Sequence, residues 1–217
     1  MLLSVLFIMP ETTIFKPKQK RSQDTQQKLI DALHHCLKDK FFEHISIKEL
    51  AEHAGVSVGT FYRRFKDKES LLPLLYQDFG HDLDMWVSQL EQQTSTDLTQ
   101  ALTLICQQTY QFLCERQSVF RTLHLNSRLH SDILASDKLV NREVIYQRIS
   151  ALIQRHQVEI TANNKSQSAD LAVFIMISTL LDKVLYPTLT PALASQLSCN
   201  AFAAELPKVL LAYLRSV

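Results

Sequence analysis

The run Ser46-Ile47-Lys48-Glu49-Leu50-Ala51-Glu52-His53-Ala54-Gly55-Val56-Ser57-Val58-Gly59-Thr60-Phe61-Tyr62-Arg63-Arg64-Phe65 decides the fold of this chain. Ser46 with Glu49 three residues on is a capping box, which satisfies two orphan N–H groups and opens a helix. Gly55 stands where a helix of about two turns needs a left-handed residue to end. Ser57 can then cap a second short helix, Val58 to Phe65, and Asp67 a longer one from Lys68 to about Gln93. Two short helices joined by the turn Gly55-Val56-Ser57 make a helix-turn-helix. Ala51 is small where the two would cross, and Leu50, Ala54, Val56, Phe61 and Phe65 supply the buried side. At roughly 100° per residue, Phe61 and Phe65 lie about 40° apart and face the core, so Gly59 and Arg63, flanked by Thr60, Tyr62 and Lys66, face outward. Glycine permits close approach, arginine reads guanine, and tyrosine and lysine hold phosphate: the chemistry suits a DNA major groove. Lys68, at the start of the next helix, adds charge where backbone N–H groups already attract phosphate.

Helical periodicity extends in both directions from this run. Leu29, Leu33, Leu37 and Phe41 recur every fourth residue and predict a helix from about Thr25 to Lys40. Downstream, Leu102, Ile105, Cys106, Thr109 and Leu113 share one face, Val119 to Leu125 forms a short helix, and Ile145, Ile149, Leu152 and His156 mark another face. Two further helices are predicted from about Ser168 to Tyr186 and from Pro191 to Arg215, the second capped by Thr190 and kinked at Pro207. No strand pattern occurs. The predicted class is all-α with about nine helices: an arm or misassigned start over 1–21, with Met9 the preferred start, a helix-turn-helix domain over 22–67, and a larger helical body over 68–217.

Composition narrows the function. The 217 residues contain only three glycines, Gly55, Gly59 and Gly80, too few for a glycine-rich phosphate loop, a nucleophile elbow or a series of hairpins. Cys36, Cys106, Cys114 and Cys199 show no metal spacing, and reduced thiols of a cytoplasmic protein are the default. The longest internal apolar run, Leu171 to Leu181, is too short to cross a bilayer and reads as a buried helix, so no membrane partner is expected. Charge is divided: Lys16 to Lys68 carries net +5 and Glu69 to Val217 net −3. A basic front on a mildly acidic body points to a polyanion at the front and a separate task behind it.

The quoted run, continued by Lys66-Asp67-Lys68-Glu69-Ser70-Leu71, resembles the TetR family of bacterial transcriptional regulators. That resemblance covers about Thr25 to Phe79. It implies a homodimer that binds a palindromic DNA operator through its amino-terminal helices and takes a small-molecule effector in the larger domain. Position by position, it implies that Lys48, Ser57, Val58, Gly59, Thr60, Tyr62, Arg63, Arg64 and Lys68 meet DNA. Many relatives carry histidine where this chain has Arg64.

The body is less specific. Trp86, Tyr110, Phe120, His124 and Phe174, with Met85, Phe112 and Met176, are candidates to line an apolar effector pocket. The helix bearing Leu171, Phe174, Ile177, Leu181 and Leu185 is apolar on more than one face. Together with Phe202, Leu206, Leu210 and Tyr213 of the last helix it is the candidate dimer interface. No histidine pair has metal-binding spacing, no metal or other cofactor is expected, and no catalytic constellation can be assembled. Cys106 and Cys114 are expected to be buried as small apolar residues rather than to sense redox state. The expected function is a TetR-type repressor released by a small, largely apolar effector. The alternative is an effector-independent DNA-binding module acting through protein partners, and a helical enzyme has the least support.

Overall fold

Leu29 and Leu33 are fully buried on one face of α1 (Pro17–Cys36), and that face holds the two short helices that follow. The computed structural model describes residues 17–129 and 141–216, so residues 1–16 of the expected amino-terminal arm lie outside the described residues, while 17–21 belong to α1, which starts earlier than the periodicity predicts. A 3-10 turn, Phe42–His44, leads to α2 (Ile47–His53) and α3 (Val58–Tyr62). The predicted caps form. Ser46 Oγ accepts from Glu49 N–H at 3.1 Å while the Glu49 carboxylate accepts from the Ser46 N–H, and Ser57 Oγ accepts from Thr60 N–H at 3.1 Å. Gly55 has φ +65° with open space around its missing side chain, so backbone conformation rather than crowding calls for glycine there.

Asp67 accepts from the Ser70 N–H and hydroxyl and starts a 3-10 turn, Glu69–Leu71, that runs into α4 (Leu72–Glu91). The body continues with α5 (Leu98–Glu115), α6 (Gln117–Leu129), α7 (Arg142–Gln154), α8 (Lys165–Leu185) and α9 (Cys199–Leu214). Each of α5, α7, α8 and α9 has a side-chain cap, from Asp97, Asn141, Asn164 and Ser198 in turn. The last helix therefore begins eight residues later than the proline pattern suggests, and Thr190 does not cap it. A 3-10 turn, Ala192–Ala194, fills the interval, and the buried Lys183 ammonium holds that segment by donating to the Ala192 and Ser195 carbonyls at 3.1 and 2.8 Å. Pro207 lies buried inside α9. No strand occurs among the described residues, and no helix of the structure is long and apolar enough to cross a membrane.

One continuous core runs from α1 to α9. Arg148 of α7 forks onto Glu91 at 2.8 and 2.6 Å and reaches Asp84 at 2.6 Å, tying α7 to α4. This guanidinium holds the Glu91 carboxyl below the usual carboxylate range. The front meets the body where the Arg121 guanidinium of α6 lies 3.5 Å over the Phe41 ring.

Candidate nucleic-acid interface and core cavity

Phe61 is completely buried and packs against the tilted ring of Phe65 at 5.5 Å, which clamps one side of α3 against the core. The other side is open. Ser57, Val58, Gly59, Tyr62 and Arg63 are exposed, Thr60 and Arg64 are half-buried, and Lys48 projects from α2 into solvent. A Cβ at Gly59 would meet nothing nearer than Ser57 Oγ at 3.8 Å. The chain's own packing thus leaves room there, and a bare backbone suits approach from outside. Arg63 Nη2 donates to Thr60 Oγ1 at 2.8 Å, and Thr60 Oγ1 in turn meets Ser57 Oγ at 2.9 Å. The guanidinium is thereby oriented along the helix while its remaining N–H groups face outward.

Lys68 is placed differently from the sequence expectation. Its ammonium donates to the carbonyls of Phe42, Glu43 and Ile45 at 2.6, 3.2 and 3.0 Å and sits 4.6 Å above the Phe42 ring. All three ammonium donors close the end of the first 3-10 turn, so in this conformation Lys68 binds its own backbone rather than offering itself to phosphate. The carbonyls at the end of that turn attract the ammonium, whereas the positive end of the helix that follows repels it.

In the body, α4, α5, α6, α7 and α8 surround a cavity of about 100 Å³. Of the candidate pocket residues, Trp86, Phe112, Phe120 and His124 line it. Trp86 and Phe112 stack at 4.9 Å with their planes 17° apart, and Phe120 stands edge-on to Phe112 at 5.7 Å and to Phe79 at 4.6 Å. The Trp86 indole N–H is buried without a protein partner, a state that costs about 1–3 kcal/mol. His124 Nδ1 meets Tyr186 Oη at 2.9 Å, and burial holds the imidazole below its ordinary range.

Four candidate lining residues lie elsewhere. Tyr110 hydrogen-bonds Cys114 and does not line the cavity, Met85 is exposed, Met176 is buried, and Phe174 is exposed. Helical spacing fixes the face of a residue but not which neighbouring helix the face meets. Tyr76, Phe79, Leu83, Arg142 and Tyr146 also line the cavity without having been singled out. The first three share the α4 face of Trp86 at steps of three and four, a signal present in the sequence. Arg142 and Tyr146 become lining residues only once α7 docks.

The candidate dimer residues divide too. Leu185, Leu206 and Leu210 are buried in the chain's own core and cannot meet a partner, while Phe202 and Tyr213 are half-buried against it. The uncovered apolar surface instead follows Leu171, Phe174, Ile177 and Leu181 along α8. There an open groove of about 490 Å³ is closed on its far side by Tyr146 and Gln147 of α7. Phe174 is 66% exposed. Cys106 is fully buried, its thiol pushed up to about 12 by burial, but Cys114 is exposed, contrary to expectation. Cys36, Glu49 and His53 bring one donor atom each within 4.8 Å of one another, a cluster that their sequence spacing does not announce. The Lys40 ammonium already lies 2.6 Å from Glu49 there and supplies the cation.

Comparisons with known proteins follow the same division. The family model described as bacterial regulatory proteins, tetR family, matches residues 29–75. An HTH-type transcriptional regulator of Staphylococcus aureus (strain USA300) is 30% identical over 74 residues. The match spans 34% of this chain and 38% of that protein, little more than a third of its length. Solved structures extend the likeness in fold to the body. The TetR-family regulator PfmR of Thermus thermophilus has 16% identity and a TM-score of 0.58, covering 84% of this chain and 96% of its own. The regulator FadR of Bacillus subtilis, solved with stearoyl-CoA, has 18% identity and a TM-score of 0.58, covering 86% and 98%. The helix-turn-helix over residues 29–75 thus matches the tetR family of bacterial regulatory proteins, and the chain shares the all-helical fold of solved TetR-family regulators.

Proposed function

We propose that this regulator binds a palindromic DNA operator as a homodimer in the cytoplasm, represses transcription, and is released by a small, largely apolar effector held in the core cavity. One observation carries the reading: α3 is capped and clamped on its Phe61 side while Gly59, Tyr62 and Arg63 face solvent. That is a rigid edge ready for a groove. The net +5 of the front supplies the sequence-independent attraction. Lys48, Ser57, Val58, Thr60 and Arg64 surround the edge and complete the interface, with Lys68 bracing it from behind.

The partner that covers the α8 groove is a second copy of this chain. Two recognition helices must sit roughly 34–36 Å apart to read two half-sites, and only a paired molecule offers two. The effector acts by population shift, binding better to a dimer whose recognition helices are wrongly spaced. The stearoyl-CoA held by FadR supports a ligand-binding role for a body of this fold. Operators selected from random DNA and tested against Arg63→Ala decide the first claim. Affinity is expected to fall by about 1–3 kcal/mol with relaxed base preference, and equal losses on operator and random DNA contradict it. Phe174→Glu is expected to give folded monomers by sedimentation, and an intact dimer moves the interface elsewhere.

A further inference from the structure

The hydrogen-bonding capacity of the core cavity is biased toward one kind of ligand. Thr109 already donates to the Ile105 carbonyl at 2.7 Å and Ser127 to the His124 carbonyl at 3.0 Å. Three N–H bearing groups remain. Trp86 has a buried N–H with no protein partner, His124 uses only Nδ1 for Tyr186, and Arg142 forms no ion pair among the described residues. No carboxylate lines the cavity among those residues. Hydroxyl oxygens of Tyr76, Thr109, Ser127 and Tyr146 can accept, but among the described lining residues the one full charge is the Arg142 cation, which complements a ligand that carries negative charge.

Shape narrows the ligand further. Trp86 stacks on Phe112, and Phe120 stands edge-on to Phe112 and Phe79, so the wall of the cavity is predominantly aromatic and suits another ring. At about 100 Å³ the space is on the scale of the ~150 Å³ cavity that takes a benzene ring, and far below the several hundred Å³ of a drug-sized site.

We infer that the cavity takes a single-ring aromatic carboxylate, its ring boxed by Trp86, Phe112, Phe79 and Phe120 and its carboxylate held by Arg142. The inference rests on the reading of the body as an effector domain and names the class of effector.

Trp86 is the only tryptophan in the chain, so its fluorescence reports this cavity directly. The full-length protein is titrated with benzoate and with its neutral near-isostere benzamide. A saturable response is expected, with benzoate bound at least about tenfold more tightly, roughly 1.4 kcal/mol. In Arg142→Gln that preference should shrink to within about twofold while benzamide binding stays unchanged. Arg142 is exposed, so this variant leaves the core intact. Equal binding of the two probes, a preference that survives in Arg142→Gln, or no saturable response to either overturns the inference. No DNA enters this assay. Benzoate that binds by these criteria but fails to release a bound operator would overturn the effector reading while the ligand assignment stands.

Discussion

The front three helices and the larger body bury helix faces in opposite ways. Leu29, Leu33, Leu50 and Phe61 close the front around a fully buried centre, and its polar helix ends are tied down by Ser46, Ser57, Asp67 and the Lys68 clamp. The body gathers Trp86, Phe112, Phe79 and Phe120 around an open space and leaves an indole N–H without a partner. A surface that reads DNA must hold its side chains still, because a base contact misplaced by an ångström is lost. A body that responds to a ligand needs unfilled capacity, because only differential binding can shift its conformation. Under the proposed function, the two regions answer these opposite demands with the same amphipathic helices.

The sharpest way to break this comparison is to cut one aromatic ring from each region. Phe61→Ala should cost about 3–5 kcal/mol in denaturant unfolding, since it hollows a filled centre. Phe120→Ala, half-buried against an existing cavity, should cost only about 1–2 kcal/mol. Equal costs would mean that the body is as tightly filled as the front. Next in size is Lys68→Met, which keeps the side-chain stem and removes the donors. Three carbonyls lose a charged partner, and stability should fall by about 1.5–3 kcal/mol. The salt dependence of DNA binding should stay unchanged. A slope reduced by about one with stability intact would return Lys68 to the phosphate contacts.

The smallest effect concerns pH. His124 is held below its ordinary value near 6.5, first by burial and then by Arg128, with Asp182 opposing. A lowered folded-state value means that the unfolded chain binds the proton more readily. The stability this group contributes is therefore present above about pH 6.5 and is lost as pH falls toward the folded value. Glu91 and Asp97 are also lowered, but from the carboxylate range, so their losses begin only near pH 4.5 and below. Thermal unfolding between pH 5 and 7 should show a decline that His124→Gln flattens. A decline untouched by that variant would assign it to other groups.

The contrast between regions also governs what could be read in advance. Capping box, turn glycine and paired phenylalanines are local devices acting within four residues, so Ser46, Gly55, Ser57 and Phe61 announced their own geometry. The two lysine clamps did not. Lys68 reaches carbonyls 23 to 26 residues away, and Lys183 closes a turn that the proline pattern had assigned to a helix. Both are satisfied by carbonyls whose availability depends on where a neighbouring segment stops. Leu185, Leu206 and Leu210 carried the same apolar signal as Phe174, yet they are buried in the chain's own core and Phe174 is not.

Sequence alone settled the helical class, the helix-turn-helix and the outward face of α3, because each follows from the chemistry of near neighbours and a fixed helical period. Tertiary structure alone decided that Lys68 turns inward, that Arg142 joins Trp86 and His124 around one cavity, and that Phe174 rather than Leu210 lies uncovered. The reason is physical: periodicity assigns a side chain to a face, but only the packing of distant helices determines whether that face meets core, cavity or solvent.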